Sequence, residues 1–276
     1  MMKILVATGG APHSEHAVRL GAEIARQTGA AITLLTVSKE AGPGVALAEQ
    51  VVAAARRSLG PVPGPVHTRV RIGHPAEQIL QEAEVGSHNL VIVGEKERHH
   101  LVTRFLLGAT AERVLEHAPC PVLIAKGKAG PIRRILLCDS GGAQPPLLAR
   151  LMAQLGDFIE GQPDITVLHV MSQISAGPGV KGSALRADAE TLIEADSPEG
   201  RLLEQDVEIL EEREAHAEPL VRHGGVVEEI VAEVESGNYD LLVIGGHRVA
   251  GWRRLLLDDL THKILAQVAL PVLVVR

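Results

Sequence analysis

Short, unbroken apolar runs alternate along the chain with longer stretches in which apolar positions recur every three or four residues. In the first half the runs fall at roughly 3–8, 31–37, 66–72, 89–93 and 121–126, and they are rich in Val, Ile and Leu. Runs of this kind, with no polar alternation, predict strands buried on both faces of a parallel sheet. Between two of them Ala76, Ile79, Leu80 and Ala83 keep helical spacing, and Gly86 supplies a stop. Val227, Ile230, Val231 and Val234 repeat that stripe in the second half, stopped by Gly237. Strand and helix in strict alternation predict a doubly wound α/β domain.

The pattern occurs twice. Ile4-Leu5-Val6-Ala7 matches Ile135-Leu136-Leu137-Cys138 at an offset of 131 residues, and Thr33–Val37 matches Thr166–Val170 at 133. Val70-Arg71 matches Val221-Arg222, and Leu90–Gly94 matches Leu241–Gly245, both at 151; Pro121-Val122-Leu123 matches Pro271-Val272-Leu273 at 150. The order is the same in both halves, so a whole domain is duplicated. Two tandem doubly wound domains follow, over 1–127 and 132–276, each a five-stranded parallel sheet flanked by helices. Gly127-Lys128-Ala129-Gly130-Pro131 is the linker. The offset rises from 133 to 151 between the second and third matches, which places an insertion in the second half, near 171–200. Ser175–Gly179 reads as a mobile loop within it. From Asp188 to Glu218 the chain carries twelve acidic residues against Arg201 and Arg213; this is a solvated helix face or an acidic docking surface.

Composition narrows the function classes. The 276 residues are 46% hydrophobic, with 27 basic and 34 acidic side chains and a net charge of −7. A nucleic-acid partner, which requires a basic footprint, is not expected. Four aromatic residues, Phe105, Phe158, Tyr239 and Trp252, are too few for a base-stacking platform. Cys120 and Cys138 make no disulfide framework and read as buried, inert thiols. No apolar run approaches the ~20 residues that cross a bilayer, and the start of the chain lacks a signal-peptide core. A soluble, cytoplasmic protein without a membrane partner is the expectation.

Ligands of open α/β sheets bind at the carboxyl ends of the strands, so the loops after strands one and four carry the function. After strand four come Val93-Gly94-Glu95-Lys96-Glu97-Arg98-His99-His100 and then Gly108-Ala109-Thr110-Ala111-Glu112-Arg113-Val114-Leu115-Glu116-His117-Ala118-Pro119-Cys120-Pro121-Val122-Leu123-Ile124. The stretch from Gly108 to Ile124 resembles the last helix and strand of the universal stress protein family. Arg71–Ile79 resembles that family's strand-three turn, and the resemblance covers both halves. It implies a stress-response regulatory protein whose two domains are of the Rossmann-like, adenine nucleotide alpha hydrolase-like type. ATP-binding members carry Gly-x2-Gly-x9-Gly-Ser/Thr after strand four and an Asp ending strand one. Their glycines let backbone approach the phosphates, and the amides of the last helix donate to them.

Carried over by position, the resemblance implies a candidate adenine-nucleotide site in the first half at Gly9, Gly10, Val37, Val93, Gly94, Gly108, Ala109 and Thr110. The pattern is altered there. Glu97 stands at the second glycine, ten residues precede Gly108 where nine are expected, Ala109 replaces the hydroxyl residue beside Thr110, and Gly9 occupies the place of the Asp. Lys96, Arg98 and Arg104 can offset the Glu97 charge, giving a solvated polar loop or a rewired anion site. A degenerate second site falls at Asp139, Val170, Gly245, Gly246, Arg248, Asp258 and Asp259. Arg248 replaces the second glycine, and Asp258-Asp259 replaces Gly-Ser/Thr. An Asp there caps the helix amides itself and repels a phosphate. Asp139 is a candidate for the adenine-side carboxylate of this half.

Other chemistries are weakly represented. Asp139-Ser140-Gly141-Gly142 has a passing likeness to the Ser-Gly-Gly-x-Asp-Ser loop of ATP pyrophosphatases, but Gln144-Pro145 stands where Asp-Ser is needed; the glycines of both strand-one loops, Gly9-Gly10 and Gly141-Gly142, fit tight turns needing positive φ. His13 and His16 on the first helix, and His216 and His223 beside strand three of the second half, lack metal-ligand spacing, so no metal is expected. No residue stands out as a catalytic base or nucleophile. The expected protein is therefore not an enzyme and acts through an unidentified protein partner, its nucleotide sites degenerate. The alternative is a sensor binding ATP in the first domain. Family members commonly dimerise through their last strands, which implies that Val122–Ala125 and Val272–Val275 pair within this chain as a pseudo-dimer; a higher oligomer is also open.

Overall fold

The computed structural model describes residues 1–95, 107–127, 130–140, 146–156, 163–171, 186–246 and 259–275. The first half runs β1 (Lys3–Ala7), α1 (Pro12–Thr28), β2 (Ala31–Ser38), α2 (Pro43–Leu59), β3 (Val66–Ile72), α3 (Pro75–Val85), β4 (Leu90–Gly94), α4 (Ala109–His117) and β5 (Val122–Ala125). The second runs β6 (Arg134–Cys138), α5 (Leu147–Leu155), β7 (Asp164–Met171), α6 (Ala189–Glu194), α7 (Pro198–Glu211), β8 (His216–His223), α8 (Val226–Ser236), β9 (Leu241–Gly245), α9 (Asp259–Gln267) and β10 (Val272–Val275).

All ten strands join one sheet in the order β3-β2-β1-β4-β5-β10-β9-β6-β7-β8. Every pairing within a half is parallel. The pairing across the middle is antiparallel, with Ile124 opposite Val272, Leu123 opposite Leu273 and Val122 opposite Val274. The last strands thus meet within the chain. Every residue of β5 and β10 is buried, so neither presents an apolar edge on which another chain could template. One core layer contains Leu123 and Leu273 with residues of α1, α2, α5 and α7. The other holds Val122, Ile124, Val272 and Val274 with residues of α3, α4, α8 and α9. Both layers run unbroken across the seam between the halves.

The outer strands depart from the expectation of burial on both faces. β3 exposes His67, Thr68, Arg69 and Ile72, and β8 exposes His216, Glu218 and Arg222. They are the sheet edges, where polar side chains discourage further pairing. Pro219, which has no N–H to donate, is tolerated in β8 because that strand is an edge. His216 and His223 prove to be the two end residues of β8.

In the second half the acidic run is mostly solvent-exposed, as a solvated face requires. Asp188 caps α6 by accepting from the Thr191 amide at 2.9 Å, and the Ser197 hydroxyl caps α7 by accepting from the Gly200 amide at 2.9 Å. The exception is Asp206, only 1% exposed. α7 holds the place that α2 holds in the first half, between the second and third strands of its unit. Leu202-Leu203-Glu204-Gln205-Asp206-Val207 matches Leu47-Ala48-Glu49-Gln50-Val51-Val52. Asp206 is thus the counterpart of an apolar Val51. Ser175–Gly179, Gly141, Gly142 and Lys128-Ala129 lie outside the described residues.

Candidate functional site

The strand order reverses between β1 and β4, and again between β6 and β9. Each reversal opens the crevice in which doubly wound sheets take ligands. The candidate residues of the first half gather there, at the carboxyl ends of β1, β2 and β4 and at the start of α4. Gly9 and Gly10 lie exposed after β1. Gly10 has φ +77°, and a Cβ on it would press on Val51 of α2 at 3.0 Å, so this turn does require glycine. Gly9 does not: its φ is not positive, and nothing lies within 4 Å of where a Cβ would be. Beside them Thr8 Oγ1 pairs with Ser14 Oγ at 3.2 Å, and Ser14 Oγ donates to the Ala11 carbonyl at 2.7 Å. This knits the loop to the first turn of α1.

Gly94 has a reason of its own. A Cβ there would collide with the His13 carbonyl oxygen and stand 2.8 Å from the His13 carbonyl carbon and 3.1 Å from Ser14 Cα. The glycine lets the first turn of α1 lie directly on the end of β4, whatever the crevice binds. Gly245 holds the same position against α5, but a Cβ there would meet only side-chain ends, an Arg150 guanidinium nitrogen at 3.2 Å and Leu147 Cδ1 at 3.6 Å. Gly94→Ala is therefore expected to cost about 1–3 kcal/mol as overpacking. Urea unfolding checks this, and an unchanged midpoint would return Gly94 to a ligand role.

At the other wall of the crevice Gly108 is the N-cap of α4, with φ −70° and ψ 148° and no side-chain cap. Helix geometry gives the first amides, of Ala109, Thr110 and Ala111, no partner within α4, and an anion is one group that can take them. Ala109 is exposed and Thr110 half-buried. Val93 is 4% exposed and belongs to the core layer, so its side chain supports the crevice without lining it; Val37 is half-buried against the same layer. Glu97, Lys96, Arg98, Arg104, His99 and His100 lie outside the described residues.

The loop leaves β4 through Glu95, which the sequence does not single out. Its carboxylate, 4% exposed, meets Lys126 Nζ, fully buried, at 2.9 Å. Lys126 also donates to the Leu265 and Val268 carbonyls at the end of α9, a helix of the other half. Burial lowers the Lys126 pKa and the Glu95 charge opposes that shift. The pair locks the start of the candidate phosphate loop to the seam.

The second crevice is chemically different. Asp139 is 4% exposed. Its Oδ2 accepts from the Leu147 amide of α5 at 3.2 Å, and its carbonyl oxygen lies 3.0 Å from His169 Nδ1. The reason is local: β6 points its last carboxylate at the free amides of the helix that follows. Asp206 lies nearby on α7, its Oδ2 buried without a hydrogen-bond partner among the described residues. Burial first, then the Asp139 charge, push its carboxyl up to about 7. Val170 is half-buried beside this corner, and the Gly246 amide donates to Val275. Arg248, Asp258 and the Asp259 side chain lie outside the described residues, so their capping role is not described. Cys138, ending β6, is held neutral: burial, then the Glu233 and Asp139 charges, raise its thiol pKa above the ordinary value. Cys120 is buried and Cys138 half-buried, where the sequence reading expects both to be buried.

One pair recurs in both halves. Arg71 meets Glu82 at 2.6 Å and Arg222 meets Glu233, from the third strand of each unit to the helix that follows it. Tyr239 adds its hydroxyl to Glu233 at 2.9 Å. The Val70-Arg71 and Val221-Arg222 repeat is its signal in the sequence.

Two doubly wound units joined through their last strands, each with a crevice at the strand ends, define the class. The chain belongs to the universal stress protein family, whose model matches residues 1–126 and again 131–276. A universal stress protein of Methanocaldococcus jannaschii is 41% identical over 61 residues, 22% of this chain and 35% of that relative; the chain thus matches about a third of its length. The fold is that of a universal stress protein from Archaeoglobus fulgidus, at TM-score 0.74, 16% identity and coverage of 99% of this chain and 98% of the other. A structure from Pseudomonas aeruginosa described as a putative universal stress protein superposes at TM-score 0.69 and 20% identity, over 100% and 93% of the two chains. No helix of the described residues is long and apolar enough to cross a membrane.

Proposed function

We propose that this stress-response protein works in the cytoplasm through contacts with a protein partner, catalyses no reaction, and leaves its second crevice without a nucleotide. The observation that carries this is Asp139. Its carboxylate is bonded to the Leu147 amide, with the buried Asp206 carboxyl beside it. The start of α5 is thereby already served by the chain, and the Asp139 charge disfavours an anion at this corner. In the first crevice the exposed Gly9 offers nothing to hold an adenosine, and Gly94 is accounted for by packing.

Thermal unfolding of the full chain with millimolar ATP tests the proposal. A ligand at one hundred times its Kd adds about 2.7 kcal/mol, several degrees for a chain of this size. The expected result is no shift, and no phosphate released from ATP on incubation. A rise that Asp139→Asn abolishes would overturn the account of the second crevice.

A second reading has its own observation, the uncapped amides of α4 behind Gly108. It makes the first half an adenine-nucleotide sensor. A rise in wild type that Gly108→Asp abolishes, with Asp139→Asn still responding, would favour it.

A further inference from the structure

The two halves bring together three potential metal ligands that neither holds alone. Glu112 and Glu116 lie on α4 and His262 on α9. One carboxylate oxygen from each Glu and one His262 ring nitrogen lie within 4.8 Å of one another, and all three residues are half-buried. The two glutamates are four residues apart, so they share one helix face and repel each other. The third ligand comes from the other half, which is why spacing along the chain gives no sign of it.

The repeat explains the placement. At the offset of 150 that relates Pro121 to Pro271, Glu112 corresponds to His262 and Glu116 to Ala266. Glu112 and His262 are therefore the same position of the two units, meeting across the pseudo-twofold that pairs β5 with β10. In a symmetric pair of identical domains this position would face its own copy. Duplication has let the copies diverge into a carboxylate and an imidazole. With Ala266 opposite Glu116 the set occurs once per chain.

We propose that Glu112, Glu116 and His262 bind a divalent first-row transition-metal ion, zinc being the probe of choice, and so clip the two halves together beside the β5–β10 seam. Two carboxylate oxygens and one imidazole nitrogen suit zinc, with water in the fourth position. Ligand atoms of a tetrahedral zinc stand about 3.3 Å apart at zinc–ligand bonds of about 2 Å. Donors within 4.8 Å of one another need to close by at most about 1.5 Å to reach that. His117 Nε2, 3.7 Å from Glu116 Oε2, is the neighbour that competes for that carboxylate.

Calorimetric titration of the metal-free full chain with zinc chloride tests this, with His262→Gln and Glu112→Gln titrated alongside and circular dichroism checking that each variant is folded. One zinc per chain is expected, with at least tenfold weaker binding in either variant. Zinc should also raise the unfolding temperature of wild type but not of the variants. The chain has thirteen histidines, so stray zinc binding is anticipated and the comparison with the variants is decisive. Absence of zinc binding, or equal affinity in wild type and both variants, would overturn the proposal. If His262→Gln fails to fold, Glu112→Gln alone decides the question.

Discussion

Lys126→Met is expected to destabilise the chain by about 3–5 kcal/mol, the range for removing one partner of a buried ion pair. The variant leaves the Glu95 carboxylate, 4% exposed, without its cation, and it strips the Leu265 and Val268 carbonyls at the end of α9 of their donor. A cation at a helix C-terminus is favoured by the dipole as well as by the hydrogen bonds. Adding Glu95→Leu to Lys126→Met should recover most of the loss, because replacing a whole buried pair by apolar groups is close to neutral. Urea unfolding of the two variants measures both numbers. A single variant as stable as wild type would mean that the seam does not depend on this contact.

Stability is expected to fall as pH rises from about 4 to about 7, and Asp206→Asn should abolish that fall. The unfolded carboxyl releases its proton near its ordinary value of 3.8 and the folded one near 7. Between those values the folded state holds a proton that the unfolded chain has given up, so raising the pH favours unfolding; outside the window the effect is flat. Some three pH units at 1.36 kcal/mol each amount to roughly 4 kcal/mol. The variant should match wild type near pH 4 and exceed it by several degrees in unfolding temperature at pH 8. Asp206→Val, which restores the residue type of Val51, should behave alike. Parallel curves at both pH values would show that Asp206 is ionised in the fold.

The sheet is legible in the sequence because its strands are continuous apolar runs bounded by turn residues, and the duplication makes each run visible twice. The edge strands differ: His67, Arg69 and Arg71 interrupt Val66–Ile72 at alternate positions, a local sign that one face is turned towards solvent. The pairing of β5 with β10 follows from the family resemblance rather than from periodicity. Asp206 is hidden within a run of acidic residues, although its helical phase with Leu203 and Leu210 is a readable sign that it points inward. Glu95 stands in the loop where a ligand is expected, yet its partner lies 31 positions on, at Lys126, and only the sheet brings them together. Gly94 is legible as a kept glycine, but its cause, the first turn of α1, is a tertiary contact.

On the proposed reading both crevices of this universal stress protein stand without a nucleotide, the second because Asp139 serves the start of α5 itself. Calorimetric titration of the nucleotide-free full chain with ATP is the most direct test, because it counts sites. The account predicts no heat of binding at millimolar ATP. Saturable binding of two ATP per chain would contradict it outright. One ATP per chain, lost in Gly108→Asp, would contradict the proposal for the first half and make that half a sensor.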